Sequence, residues 1–348
     1  MNGIFIIFQI SLMLFIVLNV LFIFLVIRKI HSNKFERQKE HWKKYYLKHI
    51  DSAIRGKENL VVPDQPSMMD AFEEVLAKYY SLMKGNTDTS IRIEELAEQV
   101  FHNYYKKRLR HGRWSIRMNT LHRIEKFRMV SLIEDCVTIY NEKRTSDIES
   151  IQILRILANL QDDRIYSILL KEEREFPSFY YLDLFTRLDE RLFNKFTKVI
   201  ENFPLTIQFS LIEAMGDRGD YTYIPTIEFY LLSENAESRI RALKSLVKVG
   251  YLTDVEKIKP SLHGETWQER MMAARLIKPL RDKRFIDDLL LLLTDENWWV
   301  RTTAAESIIA QQNGQEILED VANTHVDRFA RDIATEWLFR KGKKSVVR

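Results

Sequence analysis

The sequence predicts an all-α protein: one apolar N-terminal helix that crosses a membrane, then stacked helical hairpins through the C-terminal half. Three observations predict it. Gly (10) and Pro (7) are scarce among 348 residues, and these two residues most penalise helix interiors. Gly3 to Ile27 is an almost unbroken apolar run, interrupted only by Gln9, Ser11 and Asn19. An Arg that precedes an Ala by three positions recurs at residues 239, 270, 301 and 331, spacings of 31, 31 and 30.

The apolar run is long enough to span. At ~1.5 Å per residue, 25 helical residues reach ~37 Å, against a hydrocarbon core of ~30 Å. A cleaved signal peptide would instead carry a basic leader, a shorter apolar core and small residues at its end. This run has an uncharged start and ends in Leu25-Val26-Ile27 followed by Arg28-Lys29. Lys and Arg beside a span favour the cytoplasmic side. Here they all follow the span, so the N-terminus is expected outside the cell membrane and the rest in the cytoplasm. Gln9, Ser11 and Asn19 either bond to another transmembrane helix or are tolerated alone.

Charge is unevenly spread. Residues 28–57 carry ten Lys/Arg against three acids, a net of +7. Residues 1–27 carry no charged side chain and the whole chain nets +4, so 58–348 nets −3. A nucleic-acid-binding domain concentrates positive charge on its folded part; this one does not, and no nucleic-acid partner is expected. Residues 28–57 read as a basic helix leaving the bilayer, with Phe35, Trp42 and His49 at heptad spacing and Tyr45 and Tyr46 beside them. Arg28, Lys29, Trp42, Lys43 and Lys44 are therefore the candidate membrane-contacting residues. Aromatic rings among Lys suit the headgroup zone, and an ordinary solvated flank fits equally. Pro63 and Pro66 interrupt the helix in a linker from Gly56 to Pro66.

The recurring motif is explicit in the sequence. Trp298-Trp-Val-Arg301-Thr-Thr-Ala304-Ala305 parallels Trp267-Gln-Glu-Arg270-Met-Met-Ala273-Ala274, and Arg239 with Ala242 and Arg331 with Ala334 follow the same rule. A further step back of 31 reaches Gln208, with Leu211 at the Ala position. Thirty-one residues suit two helices of about 12 with two short turns. Ala at the centre of the second helix allows close helix approach, and the Arg offers several donors to carboxylates or carbonyls of the adjoining hairpin. Asp295 is placed to N-cap the second helix and Asp282 to serve the turn between hairpins. A lone hairpin cannot bury its apolar faces, whereas stacked neighbours can.

On these residues, most fully on Leu280-Arg-Asp282 through Asp295 to Val300-Arg301-x-x-Ala304-Ala305, the chain resembles the HEAT-repeat superfamily, in its short bacterial form related to phycobilisome-lyase repeats. The resemblance is specific over 204–341. It is weaker over 113–203, where Trp114-Ser-Ile-Arg117 and Leu160-Gln-Asp162-Asp-Arg164 echo the pattern without the Ala. It implies a right-handed α-α superhelix. The resulting division is an anchor (1–27), a basic juxtamembrane helix (28–57), a helical capping segment (58–112), the repeat solenoid (113–341) and a basic tail (342–348). It also implies a scaffold that binds a protein partner at the membrane, for instance a membrane enzyme such as a glycosyltransferase. The alternatives are a lyase or DNA-glycosylase type of HEAT-like enzyme, or a lipid-surface sensor acting through 28–57.

Candidate partner-binding residues follow from that reading. Trp267 and Trp298 share one position three residues before the Arg, as does Trp114, and Trp299 adjoins. They either form an aromatic docking ridge or staple the turn onto the second helix, with Trp299 the expected exposed member. In such folds second helices line the inner face, which puts Arg241, Lys244, Lys248, Arg275 and Lys278 in a mildly basic groove or on a solvated face. Glu94, Glu98 and His102 share a helix face, but three ligands on one helix rarely suffice for a metal. Cys136 reads as a buried core thiol. Arg218-Gly219-Asp220 reads as a turn. No hydrolase, zinc-protease, P-loop, dinucleotide or Cys-x-x-Cys motif is present, so no catalytic residue, metal or cofactor is expected.

Overall fold

The structure, a computed structural model, describes residues 2–83 and 85–346, with side chains for all of these except 2–8, 11 and 341–346. The expected basic tail and the Ser11 side chain fall outside the described side chains. All regular structure among the described residues is helical, 18 α-helices joined by turns and short 3-10 segments.

The first helix, α1 (Asn2–Ile54), runs unbroken for 53 residues, because nothing from Gly3 to Ile54 forces a break. The large apolar side chains from Leu12 to Ile27 are all at least 40% exposed. Asn19 donates its amide to the Phe15 carbonyl one turn back (2.8 Å), satisfying part of its polarity within the helix. In the second half of the basic flank the same helix becomes a wall of the folded part: Tyr46, Ile50 and Ile54 are buried. It ends where Gly56 adopts a left-handed φ of 71°, a conformation that costs glycine little. After the linker, α2 (Pro66–Leu82) starts with Pro66 inside its first turn, where a missing N–H costs nothing. The linker thus ends one residue earlier than expected.

Next come α3 (Thr87–Leu109), α4 (Trp114–Lys126), α5 (Ile133–Tyr140) and α6 (Asp147–Asn159). Asn86 caps α3 by accepting from the Thr89 N–H, and Lys106, Lys107 and Arg108 sit in its last turn, where cations complement the helix dipole. α1, α2 and α3 pack mutually, and α3 packs on α4 and α5. Their core is aromatic. Tyr46 meets Phe72, which meets Phe101, and Phe101 stacks on Tyr105 and Phe127 with centroids 5.1 and 5.9 Å apart.

Contacts divide the chain into two units, residues 1–156 and 157–348, with the division inside α6. In the second unit, α7 (Arg164–Lys171), α8 (Ser178–Arg187), α9 (Glu190–Thr197) and α10 (Leu205–Arg218) are followed by α11 (Ile224–Phe229), α12 (Ala236–Val249), α13 (Lys259–Leu262) and α14 (Trp267–Leu280). Then come α15 (Ile286–Leu292), α16 (Trp298–Ile309), α17 (Gly314–Thr324) and α18 (Arg328–Val346). From α8 onward each even-numbered helix is the longer of its pair and packs on the next even-numbered one.

Small residues permit that stacking. Ala242, Ala273, Ala304 and Ala334 have no exposed surface. A Cβ on Gly216 would lie 2.6 Å from the Ser245 Cα, so α10 and α12 touch backbone to backbone. Serine hydroxyls bridge the same contacts: Ser210 donates to Ser178 O, Ser245 to Ile212 O and Ser307 to Ala274 O, at 2.7–2.8 Å. A neutral hydrogen bond of this kind contributes about 1 kcal/mol. Turn aspartates recur as well. Asp162, Asp220, Asp254 and Asp282 each accept from the N–H two residues on. Asp282 serves the turn as expected. Asp295 does not cap α16: it lies two residues before the cap and accepts from the Asn297 N–H, while Asn297 caps the helix by accepting from the Trp299 N–H.

Candidate functional site

Arg117, Arg239, Arg270, Arg301 and Arg331 make one and the same pair of bonds. Each guanidinium donates from a single terminal nitrogen to the carbonyls five and six residues earlier, in the turn that precedes its own helix. The remaining nitrogens of three of them fork onto a carboxylate further along the chain. Arg117 takes Glu149 at 2.7 and 3.2 Å, Arg239 takes Glu269 at 2.6 and 2.8 Å, and Arg270 takes Asp295 at 2.6 and 3.1 Å. Gln208 holds the equivalent place in α10 and donates to the Phe203 carbonyl, also five residues back. Burial opposes ionisation of Glu149. Hydrogen bonds from Arg117 and from Ser146 outweigh it and hold the carboxyl below the usual carboxylate range. Arg117, Arg239 and Arg270 are fully used in fastening helices to turns and leave nothing for a ligand. Arg301 and Arg331 make only the carbonyl bonds; the Arg301 Nε is buried without a partner, and its guanidinium lies 5.0 Å from the Phe329 ring.

The expected basic groove is internally neutralised. Arg241 pairs with Glu213 (2.8 Å) and Glu237 (2.5 Å), Lys244 with Glu213 (2.7 Å), Lys248 with Asp217 and Lys278 with Glu306 (2.7 Å). Glu213 is buried, which opposes its ionisation, but Lys244 and Arg241 keep it below its ordinary range. Arg275, half-buried beside Lys278 and Pro279, has no carboxylate within ion-pair distance among the described residues. The sequence displays the cations of successive second helices; their partners lie on neighbouring helices some 30 residues away.

The tryptophans keep more surface. Trp298 and Trp299 open α16 with rings edge to face at 4.7 Å and remain 43% and 54% exposed. Trp267 is half-buried at the start of α14. Trp114 donates its indole N–H to the Ser146 hydroxyl at 3.1 Å. Phe329, missed by sequence reasoning, is also exposed, as is Val326 before it. Phe329 precedes Arg331 by two positions, as Trp299 precedes Arg301, so the register itself could have found it.

The candidate membrane residues separate into two groups. Arg28, Lys29 and Lys44 are exposed. Trp42 and Lys43 are half-buried, and Lys43 binds Glu74 of α2 at 2.5 Å while Lys39 binds its other oxygen at 3.1 Å. Tyr46 is fully buried and His49 pairs with Glu58 at 2.7 Å. This differs from both readings of the flank: its second half is domain core, because α2 lies against it.

The remaining candidates are structural. Glu98 accepts from the Ser131 N–H and hydroxyl, and His102 Nδ1 lies 2.6 Å from the same hydroxyl. Since Ser131 gives its proton to Glu98, His102 stands as donor to that oxygen rather than as a base. Glu94 accepts from Tyr80. No cluster of three or more His, Cys, Asp or Glu able to hold a metal occurs among the described residues. Burial pushes the Cys136 thiol up to about 12, far from thiolate chemistry. Arg218 binds the Phe185 and Leu188 carbonyls and lies 3.8 Å from the Phe193 ring, while Gly219 is a left-handed helix cap.

A scan against protein-family models finds no match, and a search of curated proteins finds none either. Among solved structures, the chain is similar to an engineered protein at 14% identity, covering 80% of each chain, with a TM-score of 0.32. It is also similar to human deoxyhypusine hydroxylase in complex with glycerol, at 15% identity over 71% of this chain and 98% of that one, with a TM-score of 0.29. At such scores neither likeness bears on what this chain does.

Proposed function

We propose that the protein is a membrane-tethered adaptor: α1 spans the cell membrane with its N-terminus outside, and a HEAT-like right-handed solenoid in the cytoplasm binds a protein partner. The observation that carries this reading is the contrast between paired charge and exposed aromatics. The arginines and lysines of the second unit are mostly spent on their neighbours, while Trp298, Trp299 and Phe329 stay exposed at the starts of consecutive long helices. Large aromatics are the side chains around which binding energy concentrates. The recurring arginine bonds and the stacking of alternate helices support the HEAT-like reading, and the exposed apolar stretch of α1 supports the span. The partner is a membrane-resident protein, for which tethering raises the effective concentration; a membrane enzyme such as a glycosyltransferase fits.

The test is capture of cross-linked partners from solubilised membranes. Replacing Trp298, Trp299 and Phe329 together with Ala lowers recovery of the partner by about tenfold or more, with helicity unchanged. Exchanging residues 1–27 for an unrelated anchor of the same orientation preserves it. Full recovery with the triple variant, or loss of activity from one acidic or His substitution with recovery intact, removes the adaptor reading. Protease added to intact cells leaves the domain uncut; digestion reverses the orientation.

A further inference from the structure

The first unit contains a cleft of about 480 Å³ walled by the latter part of α1 and by α2, α3 and α4. Its three carboxylates are all engaged. Glu74 is held by Lys39 and Lys43. Glu73 accepts from Arg123 Nε at 2.8 Å and from the Tyr105 hydroxyl at 2.9 Å, and burial pushes its carboxyl above the ordinary range. Asp70 accepts from the Tyr104 hydroxyl at 3.3 Å. Two of its cations are not matched in the same way. Arg108 donates to the Tyr104 hydroxyl at 2.6 Å and lies 5.0 Å from that ring. Lys126 reaches no acceptor among the described residues. Neither has a carboxylate within ion-pair distance among the described residues.

We propose that this cleft binds a phosphoryl-bearing ligand, with Arg108 and Lys126 as its two principal contacts and Arg123 as a third. A phosphoryl group offers several oxygens to a guanidinium fork and to a point-like ammonium together. The cleft is larger than one phosphate, so an organic portion fits beside it. Burial and the charge of Arg123 both lower the affinity of Lys126 for its proton; an anion beside it offsets them by favouring the charged ammonium. The ligand is either a soluble phosphate ester or the headgroup of a phosphorylated lipid. Lys39, on the cleft wall, stands 12 residues beyond Ile27, about 18 Å along α1. A headgroup layer is roughly 6 Å deep on each side, so a lipid must carry its phosphoryl well clear of the surface. The inference is independent of the adaptor reading.

The whole chain in uncharged detergent, titrated with sodium pyrophosphate at constant ionic strength, binds it saturably with a Kd of about 1 mM or tighter. The same chain in phosphatidylcholine nanodiscs, with and without phosphatidylinositol 4,5-bisphosphate, tests the lipid source by its thermal shift. Arg108→Gln with Lys126→Gln weakens the response by about tenfold or more, whereas Lys44→Gln with Lys143→Gln changes it by less than about twofold. Lys126→Gln alone, which breaks no bond, serves if the double variant loses helicity. Pyrophosphate binding of this kind assigns a soluble ligand, and a response confined to the phosphoinositide discs assigns a headgroup. No saturable response to either probe, or one that the cleft variants leave unchanged, overturns the proposal.

Discussion

The helices around α1–α3 and those from α8 to α18 solve the same packing problem by different means. The first group has helices of unequal length and fills the space between them with large rings: Tyr46, Phe72, Phe101, Tyr105 and Phe127 are all fully or almost fully buried. The second brings backbones close with Ala, Gly and Ser and locks the register with side chain-to-carbonyl bonds. Rings fill irregular space and tolerate small shifts. A serine that must meet one carbonyl, or an arginine that must meet two, tolerates none. The second group is therefore the one in which a pattern survives in the sequence.

The largest expected effect tests the aromatic group. Tyr46→Ala should destabilise the chain by about 3–5 kcal/mol, the cost of truncating a buried ring, measured by denaturant unfolding. A change below about 0.5 kcal/mol would mean that the second half of the basic flank is free of α2. Arg239→Ala should cost a similar amount, since it leaves the buried Glu269 carboxylate uncompensated. Arg331→Ala, which loses carbonyl bonds but no carboxylate partner, should cost about 1–2 kcal/mol. Equal losses for the two arginines would show that the fork onto the acid adds nothing.

Bulk in the stacked helices comes next. Ala304→Leu and Ala273→Leu each place a larger side chain at a fully buried contact and should cost about 1–3 kcal/mol. Gln312→Leu, on an exposed position, should change stability by less than about 0.5 kcal/mol. Gln311 is unsuited as its companion control: it is buried and its Nε2 donates to the Ser307 carbonyl. Identical melting curves for all three variants would break the register.

The smallest effect is in pH. Burial opposes ionisation of Glu149, Glu213 and Glu228, but their hydrogen-bond and cationic partners win and hold all three carboxyls below 4.5. Their folded-state affinity for protons is thus lower than in the unfolded chain. The stability they contribute is fully present above pH 4.5 and is lost as pH falls through the depressed folded values. Glu213→Gln should flatten that acid limb; an unchanged limb would show that its pairs with Arg241 and Lys244 are worth nothing in water.

What was legible follows the same division. Arg239, Arg270, Arg301 and Arg331 announced themselves because each must sit at a fixed distance from its turn, and Asp282 because an aspartate opens that turn. Asp295 misled because it stands two residues before the cap, where it accepts from the Asn297 N–H and takes the Arg270 fork, a partner that a single stretch of sequence does not reveal. The groove cations were visible while Glu213 and Asp217, about 30 residues earlier, were not visibly their partners. The ring core was illegible for a simpler reason: Trp42 and Tyr46 beside lysines look alike whether they face headgroups or a helix such as α2. The cleft at Arg108 and Lys126 depends on four separate helices and left no local mark.

α1 also has a mechanical consequence. Its apolar stretch and its core-forming end belong to one uninterrupted helix, with no hinge to absorb rotation. From the middle of the apolar run to Tyr46 is about 32 residues, or roughly 48 Å of rigid rod. If α1 crosses a bilayer as proposed, tilting is one way its apolar run accommodates a thinner hydrocarbon core. A change of about 10° in tilt would swing Tyr46 and the helices packed on it sideways by roughly 8 Å, so that end would move as the hand of a dial.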